Sequence, residues 1–279
     1  QELASVNHGW ETFKLINGGF NMVQRFRMGR SAFWLGCSLW LLWMSQLTGC
    51  ALWPPSDDPA PQAQQAVPQD LPLQFSAQDK SRWEAMTLPG KLRTLFTLER
   101  RGDKAALQAQ AKASASMLRQ RLNIAPDKLG SLQFEWQVEQ LIAGADMSQR
   151  ETEDSPVRLI LVFEGDRSRF SAKNALLSEL THGLTGEPLP YATLMYVWCN
   201  ACPPESVIVN PRTDRVRKLA VESGPTHLGQ WRSYRRDVKA DFEKAFGEPP
   251  GALLGLAIMT DTDNTRSTAR AWYGAIRLD

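Results

Sequence analysis

Histidine is nearly absent, with three in 279 residues, of which only His182 and His227 lie beyond position 50. Cysteine is almost as scarce, at four. Zinc takes four such ligands, so one site would consume both of those histidines together with Cys199 and Cys202. No nucleophile elbow ties a serine to the scattered His and Asp residues, so serine-hydrolase chemistry has no motif to stand on. Surplus charge is missing too. Residues 1–49 hold four of the 32 Lys/Arg and two of the 30 Asp/Glu, so the remainder carries 28 of each and is formally neutral. Such a balance suits neither nucleic acid nor an anionic membrane surface, and no nucleic-acid partner is expected.

Long apolar runs are lacking except for one. Residues 32–44 are apolar apart from Ser38 and include Trp34, Trp40 and Trp43. Arg25, Arg27 and Arg30 precede them without an acidic neighbour, and Leu47-Thr48-Gly49-Cys50 follows. Basic, apolar, then small is the order of an export signal, and the run is short for a bilayer span; a transmembrane anchor is the alternative. The last four residues resemble the lipobox of bacterial lipoproteins. That resemblance implies lipid on the Cys50 thiol, cleavage before Cys50 and acylation of the new amino terminus. Two or more acyl chains anchor where one does not, at roughly 0.8 kcal/mol per buried methylene. Ala51 is not the aspartate that favours inner-membrane retention in such lipoproteins, so the periplasmic face of the outer membrane is expected. Residues 1–21 have no place in a signal and read as a start-site artefact or an extension. Residues 50–72, with Pro54, Pro55, Pro59, Pro61, Pro68 and Pro72, read as a tether that buries too little to fold.

From residue 73 onward a period of two dominates. Leu107, Ala109, Ala111, Ala113, Ala115 and Met117 alternate with polar residues in a stretch whose composition otherwise favours helix. The alternation predicts one or two strands over 104–121, after a strand at 94–99 and a turn at Arg101-Gly102-Asp103. Further strands are expected over 132–138, 157–163, 193–198, 215–221, 231–238, 253–260 and 268–278. Short helices are expected at 241–246, stopped by Gly247 and Pro249-Pro250, and at 172–180. Many strands with few helical spacers predict an all-β, antiparallel β-sandwich over 73–279.

Across that span the chain resembles domain-of-unknown-function family 3047, found in bacterial envelope proteins. The residues carrying the resemblance are those of 159–166, Tyr196-Val197-Trp198 with Asn200, Ser223-Gly224-Pro225 and Leu228-Gly229-Gln230-Trp231. They are joined by Met259-Thr260-Asp261-Thr262-Asp263-Asn264-Thr265 and Ala271-Trp272-Tyr273-Gly274. The family implies no activity. Its pattern is similar to jelly-roll, galactose-binding-like modules, which implies a sandwich and, at the level of fold analogy alone, glycan binding.

Several side chains stand out as candidate sites. Asp261, Asp263 and Asn264 crowd oxygen donors into one turn, suiting a structural calcium ion, a polar ligand or simply a turn capped by its own side chains. Cys199 and Cys202 suit a local disulfide in an oxidising compartment, with a dithiol or zinc as the alternatives. Trp198, Trp231 and Trp272, with Tyr234, would make a stacking platform for a sugar, helped by Asp166 or Arg235; the same aromatics also suit a core. Arg232, Arg235, Arg236 and Lys239 form a basic cluster that also suits a solvated face. A binding or structural module for an envelope glycan or a partner protein is the leading expectation. The alternative is a glycoside hydrolase pairing Asp166 with Asp261 or Asp263.

Overall fold

The alternation around residue 110 builds strands, but a single residue splits it between two sheets. The computed structural model describes residues 71–279. β4 (Lys104–Lys112) turns Leu107, Ala109 and Ala111 inward, whereas in β5 (Ala115–Ile124) the inward set is Leu118, Leu122 and Ile124. Between them Ala113 adopts a left-handed φ of 45°, and its N–H is held by the Ser267 carbonyl at 2.8 Å. That bend carries the chain from one sheet to the other, leaving Ala115 and Met117 on the far face of the second sheet.

The remaining strands are β1 (Leu73–Phe75), β2 (Glu84–Thr87), β3 (Leu95–Arg101), β6 (Ser131–Val138) and β7 (Ser155–Phe163). They continue with β8 (Ala192–Cys199), β9 (Val207–Val209), β10 (Val216–Ser223), β11 (Trp231–Asp237), β12 (Leu253–Asp261) and β13 (Thr268–Leu278). The six-stranded sheet runs β11-β6-β13-β4-β3, with β1 also paired to β13; the seven-stranded sheet runs β2-β5-β12-β7-β8-β10-β9. Their inner faces share one core, in which Phe134, Trp136, Tyr273 and Ile276 meet Leu159, Leu161, Tyr196, Trp198 and Ile258. This is the expected predominantly β sandwich with two helices.

One pairing departs from the antiparallel expectation: β8 and β10 run parallel. Parallel neighbours need a crossover, and residues 200–215 supply it, laying β9 along the outer side of β10. Strand patterning carries no direction, and three-residue strands such as β1 and β9 lie below what alternation can signal.

α1 (Ala172–Thr185) starts after Ser171, whose hydroxyl accepts the Asn174 N–H, and ends five residues past the expected end, at a left-handed Gly186 cap. α2 (Val238–Phe246) is capped by Asp237 and stopped by left-handed Gly247. It places Phe242 and Phe246 in the core, with Phe242 edge-on to Phe163. Among the described residues no helix is long and apolar enough to cross a membrane; residues 1–70, with the expected signal, Cys50 and most of the tether, lie outside them.

Candidate functional site

Antiparallel pairing of β7 with β12 sets Ser155 opposite Asp261 and so delivers Asp154 to the turn after β12. Asp154 caps that turn, accepting the Asn264 N–H at 3.1 Å, the Thr265 N–H at 2.7 Å and the Thr265 hydroxyl at 2.5 Å. Asp261 accepts the Ser155 N–H at 2.8 Å and pairs with the Arg158 guanidinium at 3.0 Å. Asp263 is paired with Lys91, which arrives from the loop before β3. Oxygens of Asp154, Asp261 and Asp263 all lie within 4.8 Å of one another, a group that could take a metal ion. The third carboxylate is therefore Asp154, and not Asn264, whose part here is a backbone N–H.

A second layer of charge backs the first. Glu153 is buried against Lys218 at 2.8 Å and Arg212 at 2.9 Å, and it also accepts the Asn210 side-chain amide. Arg158 donates to the Glu153 backbone carbonyl, which links the two layers. Four carboxylates thus face four cations: Lys91, Arg158, Arg212 and Lys218. Charges cannot be buried singly at tolerable cost, and their balance explains how so many lie within the fold. Burial pushes Asp261 up to about 7, the Asp154 and Asp263 charges adding to it while Arg158 and the Ser155 N–H oppose it. Burial likewise draws Lys218 down to about 8, with the Arg158 charge acting in the same direction. Asp263 Oδ1 and Asn264 Nδ2 are buried without a hydrogen-bond partner.

A different chemistry occupies the outer face of the six-stranded sheet. Cross-strand register places Trp231, Gln137, Trp272 and Gln108 in one row, from β11 through β6 and β13 to β4, with Thr97 of β3 at its end. At about 4.8 Å per strand, the row spans roughly 19 Å. Arg101 lies over the Trp272 ring at 4.0 Å and donates to Gln137 Oε1 at 3.1 Å. Lys104 lies over Trp231 at 5.1 Å and pairs with Glu135. Trp272 Nε1 donates to Glu99 Oε2 at 3.0 Å, where the Gln108 amide also donates. Two indoles, two amides, two carboxylates and two cations thus share one face. Trp272 is only 1% exposed under this cover, whereas Trp231 stays partly open, and a cation on an exposed ring is held by about 0.5–1 kcal/mol.

The model of one protein family, described as "Protein of unknown function (DUF3047)", matches residues 81–277. The chain belongs to the DUF3047 family. No curated protein matches it. Solved structures with a similar arrangement include the Endo-D glycoside hydrolase domain of Streptococcus pneumoniae R6, 8% identical with a TM-score of 0.31, over 71% of this chain and 22% of that one. Another is CBM86, a low-affinity xylan-binding module from Roseburia intestinalis, 10% identical with a TM-score of 0.29, over 75% and 96%. A Cel12A cellulase derived from that of Rhodothermus marinus is 12% identical with a TM-score of 0.31, over 75% and 97%. The DUF3047 chain thus spans about a fifth of the pneumococcal chain, and likeness at these scores bears on neither substrate nor mechanism.

The DUF3047 structure separates the other candidates. Neither Trp198 nor Trp272 is a platform: Trp198 is fully buried in the core, with Nε1 donating to the Gly224 carbonyl at 3.0 Å, and Trp272 is 1% exposed beneath Arg101. Tyr234 turns inward onto Phe134 and donates to Glu222 at 3.0 Å. Asp166 caps a short 3-10 turn through Ser168 and stands beyond the Phe163 end of β7, whereas Asp261 pairs at the Ser155 end. Nine residues of strand hold them about 25 Å or more apart, so the expected carboxylate pair does not form. Cys199 and Cys202 stand at disulfide distance, and the group of potential metal ligands found among the described residues is Asp154, Asp261 and Asp263, not these cysteines with His182 and His227. The basic cluster divides by alternation: Arg232 pairs with Glu222 and Arg236 with Asp241 and Glu205, while Arg235 is exposed on the outer face of the six-stranded sheet. Asp154, Glu99, Glu135, Gln108 and Gln137 were not legible as site residues. Only register between distant strands gathers them, although the acidic step at Glu153-Asp154 just before β7 was a visible signal.

Proposed function

We propose that this protein is a lipid-anchored module of the bacterial envelope whose sandwich binds a glycan on the outer face of the six-stranded sheet. The observation that carries the reading is the partly exposed Trp231 on that face, with Lys104 over its ring and the half-buried Glu135, Arg101 and Gln108 on the neighbouring strands. Rings that cover the apolar face of a sugar, beside amides and charges that read its hydroxyls, are the mix a polar ligand site needs. The anchor rests on the basic and apolar residues before Leu47-Thr48-Gly49-Cys50. Cys50→Ser should abolish lipid labelling and remove the protein from outer-membrane fractions; a variant that stays there would sink the anchor.

Glycan and peptidoglycan-fragment arrays, with and without calcium, test the binding. Trp231→Ala should weaken the affinity for the captured glycan tenfold or more and leave the melting temperature within a few degrees. Capture of no glycan, or binding indifferent to Trp231, would overturn the glycan reading and leave a protein partner as the ligand to seek. The specific support for calcium is the unpartnered, buried Asp263 Oδ1 beside Asp154 and Asp261. An ion there would have to displace Lys91. A calcium-dependent rise in melting temperature that disappears in Asp263→Asn supports that second reading, and an unchanged melting temperature ends it.

A further inference from the structure

We propose that α1 is a membrane-docking face whose outward leucines rest on the phospholipid surface to which the anchor holds the domain; this rests on the lipid-anchored reading above. A helix packed on a sheet ordinarily turns its apolar stripe inward. α1 does the reverse. Its buried residues are Asn174 and Ser178, both polar, while Leu176 and Leu184 are 53% and 55% exposed. Leu176, Leu180 and Leu184 recur every four residues and so form one stripe, which the exposed Lys173 heads three residues earlier.

Polar bonds hold the inward side. Asn174 donates to Asp214 at 2.6 Å and accepts the Thr213 hydroxyl at 2.8 Å, so the helix is fixed at its start without Leu176 or Leu184. At the other end Leu184 borders an open cleft of about 630 Å³, where Met86, Leu88 and Pro89 continue the apolar surface beside Arg93. Just past the cap, Glu187 pairs with Arg119 and Arg121. Both arginines point outward from β5, whose Leu118 and Leu122 face the core. α1 thus lies outside the seven-stranded sheet, across the sandwich from Trp231. A domain resting on α1 turns its Trp231 face away from the bilayer, toward the envelope.

The length of chain before the fold makes a bilayer the fitting occupant. From Cys50 to Leu71 the chain extends at most about 70 Å. The outer surface of α1 stands about 25 Å from the sheet that holds β1, well within that reach. A second copy fits less well, because three leucines cannot supply the ~800 Å² per partner that stable dimers bury. The domain is formally neutral, so apolar burial carries the contact, and the exposed Arg167 and Lys173 are left to meet headgroup phosphates. So small a contact is weak in free solution. The anchor makes it intramolecular, at a roughly millimolar effective concentration, and a weak contact then holds.

The test reconstitutes the lipidated protein in vesicles of phosphatidylethanolamine and phosphatidylglycerol that carry a nitroxide high on one acyl chain. A fluorophore is attached at Leu176→Cys, at Leu184→Cys or, as the control on the opposite face, at Arg235→Cys. An interfacial helix sinks about 5–10 Å into the headgroup boundary, so the first two should be quenched about threefold more than the third. With the fluorophore at Leu180→Cys, adding Leu176→Ser and Leu184→Ser should return quenching to the control level. Lipid labelling and melting temperature should not change. Equal quenching at all three positions overturns the docking face. So does a signal at Leu184→Cys that follows protein concentration in detergent and ignores vesicles, which marks a second copy. A chain that carries no lipid overturns the anchored reading. The same fluorophores, with these vesicles added in excess, then decide the face: quenching at Leu176→Cys and Leu184→Cys supports it, and none overturns it.

Discussion

Arg158→Met is expected to destabilise the fold by about 3–5 kcal/mol, because it leaves Asp261 buried without its cation. Arg158 is 3% exposed and Asp261 1%, so water cannot replace the lost partner. Urea unfolding should show a lower midpoint with an unchanged slope. The double variant Arg158→Met, Asp261→Asn should recover most of the loss, since it removes both charges together. The pH dependence has a definite sign. Asp261 lies up at about 7 in the fold, above its ordinary value, so the native state holds a proton that the unfolded chain releases. Its contribution to stability is full below about pH 4 and is lost as pH rises toward 7. Removing Arg158 raises Asp261 further, so the deficit of Arg158→Met should be larger at pH 8 than at pH 5. A deficit independent of pH, or one uncorrected in the double variant, would show that the pair does not carry the lock. Lys218 acts in the opposite sense: drawn down to about 8, it restores stability only as pH climbs from about 8 toward its ordinary 10.5.

Trp198→Ala should cost a further large amount, about 3–5 kcal/mol, as emptied tryptophan sites do. The side chain is fully buried among residues of both sheets, and its indole satisfies the Gly224 carbonyl. Trp198→Phe should cost less, since it keeps the packing and loses only the hydrogen bond. Glycan affinity per folded molecule should not change in either variant, whereas Trp231→Ala should change affinity and spare stability. Together the two substitutions separate an aromatic that builds the sandwich from one that faces its ligand. Loss of glycan affinity in folded Trp198→Phe would return Trp198 to the binding surface.

Those two tryptophans mark the limit of local pattern. Trp198 sits in a strand buried on both faces, where every neighbour from Tyr196 to Cys199 is apolar, so no alternation reveals which way it points. Trp231 opens an edge strand whose partner, β6, lies about a hundred residues earlier, and register alone sets it beside Gln137. The same holds for Asp154, Asp261 and Lys91, which come from three distant segments.

The sequence alone determined that most of this chain is β, where nearly all its longer strands run, and where the helix before Gly247 stops. Alternation, caps and turn residues act within a few positions and need no partner to be read. It also determined the expectation of an anchor at Cys50, which lies outside the described residues. Only the tertiary structure decided that Ala113 would hand the chain to a second sheet, that β8 and β10 would run parallel, and that eight buried charges would balance. It also decided which aromatics face solvent. Each of these depends on pairing between segments far apart in the chain, and a one-residue shift in that pairing would turn every side chain to the opposite face.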